Sequence, residues 1–144
     1  MKKLINIAVF TLVALFSTSS FAKWHGCQEQ NLVFFAYNMK HTKAVEVCQS
    51  MEGYSYTYGP IGKPEIVLDL DPSHVEFNLS AKGDTSVIFT NGKYTYWVTE
   101  ATMGQSGIDV TEKIKAYPGS KSIAFIELDV VDKNFVNNIS AYNH

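Results

Sequence analysis

Apolar residues along this chain fall mostly on alternate positions. Tyr54, Tyr56 and Tyr58 alternate with Ser55 and Thr57, and Ile66, Leu68 and Leu70 alternate with Val67 and Asp69. Val75, Phe77 and Leu79 repeat the pattern. A period of two puts each set on one face of a strand. Residues 31–38 (NLVFFAYN) differ, because they are apolar on both parities. That suits a strand covered on both sides. Residues 44–48 follow, with Val45 and Val47 on one face, and the polar stretch 38–43 between them reads as a hairpin connection.

Turn signals punctuate the strands. Asp71-Pro72-Ser73, Ala81-Lys82-Gly83-Asp84 and Tyr117-Pro118-Gly119-Ser120 each break the alternation. Asn91-Gly92 lies between two β-rich runs in TSVIFTNGKYTYWVT, the strongest short hairpin signal. A two-residue loop there pairs Phe89 with Tyr94 and Val87 with Tyr96. It places those four and Val98 on one face, with Ile88, Thr95 and Trp97 on the other. Residues 100–107 (EATMGQSG) form a loop of small residues, and further strands are expected over 108–114 and 123–128. In the tail, Phe135, Val136 and Ile139 have helical spacing behind Asp132, which predicts a short C-terminal helix. The fold expected is all-β, or mainly β with that helix: about eight antiparallel strands in a barrel or sandwich.

The first 22 residues read differently. Lys2 and Lys3 precede an apolar run from Leu4 to Phe16, which ends in Ser20-Phe21-Ala22. This is the pattern of a cleaved secretory signal peptide, and the run is shorter than the roughly 20 residues a membrane span needs. The expected organisation is a signal over 1–22 and one β-rich domain over 23–144, periplasmic or secreted, with no membrane span. Without Lys2 and Lys3, ten lysines face fourteen acidic residues, a net charge of −4, and the chain has no arginine. A nucleic-acid partner calls for a basic face, so none is expected. The mild acidity suits a cationic protein partner. Cys27 and Cys48 are the two cysteines. In an exported chain an even count argues for one disulfide, and no CxxC or Cys-His spacing supports a metal pair.

Chemistry finds little purchase. Gly104-Gln105-Ser106-Gly107 lacks the G-x-S-x-G spacing of a nucleophile elbow, and a strand follows rather than a helix. His25, His41, His74 and His144 are isolated, without the spacing of a zinc helix. Glu65, Asp69, Asp71 and Glu76 are acids near turns, where carboxylates are usually solvated. Gly59-Pro60-Ile61-Gly62-Lys63-Pro64 resembles a phosphate loop only superficially. Its glycine spacing is wrong, Pro64 replaces the hydroxyl, and two prolines remove amide donors. No catalytic residue, metal or cofactor is expected, and the protein is read as a non-enzyme.

Cys27, NLVFF, KAVEVCQ, YSYTYGPIGKPEIVL and TNGKYTYWV together resemble a group of small exported bacterial β-proteins of unassigned function, over roughly residues 27–110. In size, export, single disulfide and strand content the chain is also similar to the periplasmic inhibitors of lysozyme. These are small β-proteins that insert a loop into the enzyme's cleft. Ser106-Gly107 stands in for the Ser-Gly step of their loops, with Ile108 and Asp109 following where an aromatic is usual. The resemblance implies an inhibitor or immunity-type protein that blocks a cationic wall hydrolase such as lysozyme, or a toxin. Glu100, Gln105 and Ser106 would be its polar contacts and Met103 its apolar one. The other reading is an envelope ligand-binding or structural protein using the Tyr54/Tyr56/Tyr58 face or Trp97.

Overall fold

The computed structural model describes residues 26–115 and 119–144. The signal peptide expected over 1–22 and the turn residues Tyr117 and Pro118 lie outside the described residues. Within them ten strands follow in chain order: β1 (Leu32–Asn38), β2 (Ala44–Gln49), β3 (Tyr54–Gly59), β4 (Ile66–Leu70), β5 (Val75–Leu79), β6 (Thr85–Asn91), β7 (Tyr94–Glu100), β8 (Gly107–Lys113), β9 (Ser120–Asp129) and β10 (Val136–Asn137). All pairings are antiparallel. They form one sheet in the order β4-β3-β2-β1-β9-β8-β7-β6-β5, with β10 beside β1. The sheet does not close into a barrel, because β4 and β5 end the path.

β9 is the corner of this sheet. It pairs with β8 along most of its length, but with β1 only through Tyr37↔Asp129 and Asn38↔Leu128. Beyond that point β10 takes over the edge of β1, at Phe34↔Asn137 and Phe35↔Val136. The two halves therefore fold over one core. Val45, Val47 and Tyr56 from one half meet Val87, Phe89 and Val98 from the other, all buried. The Tyr56 ring joins the halves directly, 5.4 Å from Phe89 and 5.2 Å from Tyr96. The alternating tyrosines are core residues.

β1 is apolar on both parities because both of its faces are covered. A bulge between Leu32 and Phe34 turns Phe34 and Ala36 to the main core and leaves Leu32 and Phe35 on the outer face. There they pack with Ala44, Cys48 and Cys27. The expected Cys27–Cys48 disulfide is present, with Cα atoms 6.0 Å apart. It fastens the N-terminal arm over the sheet. Glu46 lies beneath this arm, 3% exposed, and accepts a hydrogen bond from Gly26 N at 2.6 Å.

Two local expectations change. The β6–β7 hairpin closes through Gly92 and Lys93, with Asn91 opposite Tyr94, so Phe89 pairs with Tyr96 and Val87 with Val98. Gly92 alone has positive φ, +62°, as in a type II′ turn with glycine first, whereas Asn91 stays in the strand. The shift is two residues, so every side chain keeps the face expected of it. The tail forms β10 and a single 3₁₀ turn, Ile139–Tyr142, where a helix was expected. Asn137 and Asn138 redirect the backbone. The Asn137 side chain accepts from Ile139 N at 3.0 Å, and Asn138 Nδ2 donates to Leu32 O at 2.9 Å. Ile139 is fully buried.

The GPIGKP stretch is a plain link between β3 and β4. Lys63 N donates to Pro60 O and Glu65 N to Tyr58 O, so these amides are already used. Gly59, at φ +148°, is required: a Cβ there would lie 2.5 Å from Glu65 N.

Burial pushes the Tyr56 hydroxyl far above its ordinary pKa, with Tyr96 and Tyr58 adding to the effect. Burial also raises Tyr58, partly opposed by Lys43. A tyrosine in the unfolded chain ionises near pH 10. Above that pH the unfolded chain sheds a proton that the folded chain keeps on Tyr56, so stability falls as pH rises, by about 1.4 kcal/mol per pH unit for that residue. Urea midpoints at pH 9 and pH 11 are expected to drop steeply for the wild type and markedly less for Tyr56→Phe. Equal drops in the two proteins would show that Tyr56 does not carry the effect.

Candidate functional site

Three connections meet at one end of the sheet. They are the β1–β2 turn (38–43), the β7–β8 loop (101–106) and the segment after β9 (130–135). Strand pairing brings them together: Asn38 is opposite Leu128, and Glu127 is opposite Gly107. Met39 N donates to Glu127 O at 3.2 Å, and Leu128 N to Ser106 O at 3.0 Å.

The 101–106 loop is braced from both sides. Ser106 is 5% exposed, and its hydroxyl accepts from Ala101 N at 2.9 Å, closing the loop on itself. Thr102 N donates to Asp84 Oδ1 at 2.8 Å, and Thr102 Oγ1 lies 2.7 Å from the same oxygen and 3.0 Å from Lys82 O. These hydrogen bonds hold the Asp84 carboxyl below its ordinary pKa. Gly104 turns the loop at φ +101°. Glu100, half-buried at the end of β7, accepts from Asn137 Nδ2, which also donates to Thr85 Oγ1 at 2.7 Å.

Of the four residues expected to touch a partner, Met103 and Gln105 face solvent, Met103 at 83% exposure. Ser106 and Glu100 are engaged within the protein. Two exposed apolar side chains, Met39 at 53% and Val131 at 91% exposure, line an open depression of about 210 Å³ beside the loop. Gln105, Ser106 and Asp129 also line it.

One group at this end has no local signature in the sequence. His41 Nε2 lies 2.7 Å from Asp129 Oδ2, across 88 residues of chain. The ring stacks on Tyr37, centroids 5.0 Å apart and planes 14° from parallel. The Asp129 carboxyl is held below its ordinary pKa, chiefly by the His41 hydrogen bond. Asp132 joins the same cluster.

The other sequence candidates are dispersed. Glu65 pairs with Lys43 at 2.8 Å, and Asp71 caps the 3₁₀ turn Pro72–His74 through Ser73 N at 2.9 Å. Asp69 and Asp71 line an open acidic depression with Glu52 at the opposite end of β3 and β4. Trp97 lies on the outer sheet face, in register with Asp109 and Phe125. No family model matches the chain, and neither a curated protein nor a solved structure matches it.

Proposed function

We propose that this chain is an exported binding protein whose 101–106 loop enters the cleft of a cell-wall-degrading enzyme and blocks it. The observation that carries the reading is the contrast within the loop. Ser106, Thr102 and Asp84 hold its backbone, while Met103 and Gln105 are left free for a partner. A loop ordered beforehand loses less entropy on binding, so more of its contact energy appears as affinity. Met39 and Val131 extend the apolar contact beside it. The Cys27–Cys48 disulfide supports an oxidising compartment, where wall hydrolases act.

The test is inhibition of lysozymes and of toxins encoded beside the gene. The purified protein is expected to suppress the activity of at least one at stoichiometric ratio. Met103→Asp is expected to weaken that inhibition by about tenfold or more, the loss of one central contact worth at least 1.4 kcal/mol. Undiminished hydrolysis at saturating protein, or inhibition indifferent to Met103→Asp, rules the reading out.

The second reading, an envelope ligand-binding protein, keeps one favourable observation. Trp97 (37% exposed) and Phe125 (50% exposed) lie two strands apart on an outer face, with Asp109 between them. Burial of Tyr56 and Tyr58 removes the tyrosine-groove version of it.

A further inference from the structure

We propose that His41, Asp129 and Asp132 form a binding site for a divalent transition ion of the zinc class. Their ligand atoms all lie within 4.8 Å of one another, a looser group than the roughly 3.4 Å between ligands on one tetrahedral zinc, so the side chains must draw in to share an ion. Small side-chain rotations bring them onto one ion, with water completing the shell.

The surrounding contacts aim the ligands. Asp129 Oδ1 accepts from Val131 N at 3.2 Å, which leaves Oδ2 turned to His41. Asp132 Oδ1 accepts from Asn134 N at 2.8 Å and Nδ2 at 3.0 Å, so one oxygen is anchored and the second is left for an ion. His41 sits at φ +53°, its amide bonded to Asn38 O at 2.8 Å, and its ring is held flat against Tyr37. Outer contacts of this kind fix the orientation of metal ligands.

Charge points the same way. Two carboxylates converge on a single imidazole, and one ring cannot balance two negative groups, whereas a divalent cation can. The Asp132 backbone amide also hydrogen-bonds the Asp129 carboxyl, which sets Asp132 beside the exposed His41–Asp129 pair. The donor set of one ring nitrogen and two carboxylates selects the ion class. Imidazole suits zinc, copper and nickel, while calcium and magnesium prefer oxygen throughout. The other close group, Cys27, Glu46 and Cys48, is unsuited because its sulfurs are joined in the disulfide.

The ion would tie the 38–43 turn to the segment after β9, at the rim of the depression beside the 101–106 loop. The site rests on its own ligands and stands whether or not that loop binds a hydrolase.

The test uses metal-stripped, tag-free protein titrated with zinc chloride by calorimetry. One ion per chain is expected. His41→Ala and Asp132→Asn should each weaken binding by about tenfold or more, and circular dichroism should confirm that both variants are folded. Asp71→Asn, in the acidic depression at the far end, should bind as the wild type does. In NMR spectra zinc should shift the His41 ring nitrogens and the amides of residues 129–134. No saturable uptake by the wild type overturns the proposal. So does uptake that His41→Ala and Asp132→Asn leave unchanged, which would put the ion elsewhere.

Discussion

Phe89→Ala is expected to cost about 3–5 kcal/mol of folding stability, the range for deleting a buried aromatic ring. Phe89 is fully buried and lies opposite Val75 on one side and Tyr96 on the other. Its ring also touches Tyr56 from the other half of the sheet. Truncation removes the transfer energy of the ring and leaves a cavity that the two halves can close only by moving against each other. The sheet is open, so this ring contact does work that strand pairing between β4 and β5 does not. A domain of this size has about 5–15 kcal/mol in total, so the variant should melt on the order of 15 °C lower. Chemical and thermal unfolding measure it. A loss below about 1.5 kcal/mol would mean that the halves do not depend on this contact.

Replacing both Cys27 and Cys48 by alanine is expected to cost about 3 kcal/mol, the chain-entropy value for the loop they close. The sequence separation is 21. The arm it fastens covers Leu32, Phe35 and the buried Glu46. Releasing it lets water reach an apolar patch that the main core does not protect. Wild-type protein treated with a reductant should lose the same amount as the double variant in urea unfolding. If reduction moves the midpoint by less than about 1 kcal/mol, the arm is held by its packing alone, and the bridge is not what keeps the outer face of β1 covered.

Strands were legible because alternation is a local property. Tyr54, Tyr56 and Tyr58 identify a strand and its buried face without reference to any other residue. β1 was legible for the opposite reason, since unbroken apolarity requires cover on both sides. Where the structure departs from the local pattern, short polar side chains compete with it. Asn91-Gly92 looks like the whole turn, yet only the glycine takes positive φ. Asn137-Asn138 sits inside a helical spacing, yet both side chains bond elsewhere and hold the tail across the sheet. The loop at 101–106 was legible as a loop, but the sequence does not say which of its residues point out. Ser106 has the composition of a contact residue and the position of a brace, because Ala101 N needs an acceptor when the loop closes.

By itself, the amino-acid order determined the β class, the strand faces, the cysteine pair and the position of an exposed-looking loop, all through spacing along a few residues of chain. Only the tertiary structure decided that the sheet stays open, that Met103 rather than Ser106 is offered to solvent, and that His41 stands beside Asp129 and Asp132. Those three residues come from a turn and a strand end far apart in sequence. Pairing of β1 with β9 brings them together, and no local pattern encodes a meeting made by register between distant strands.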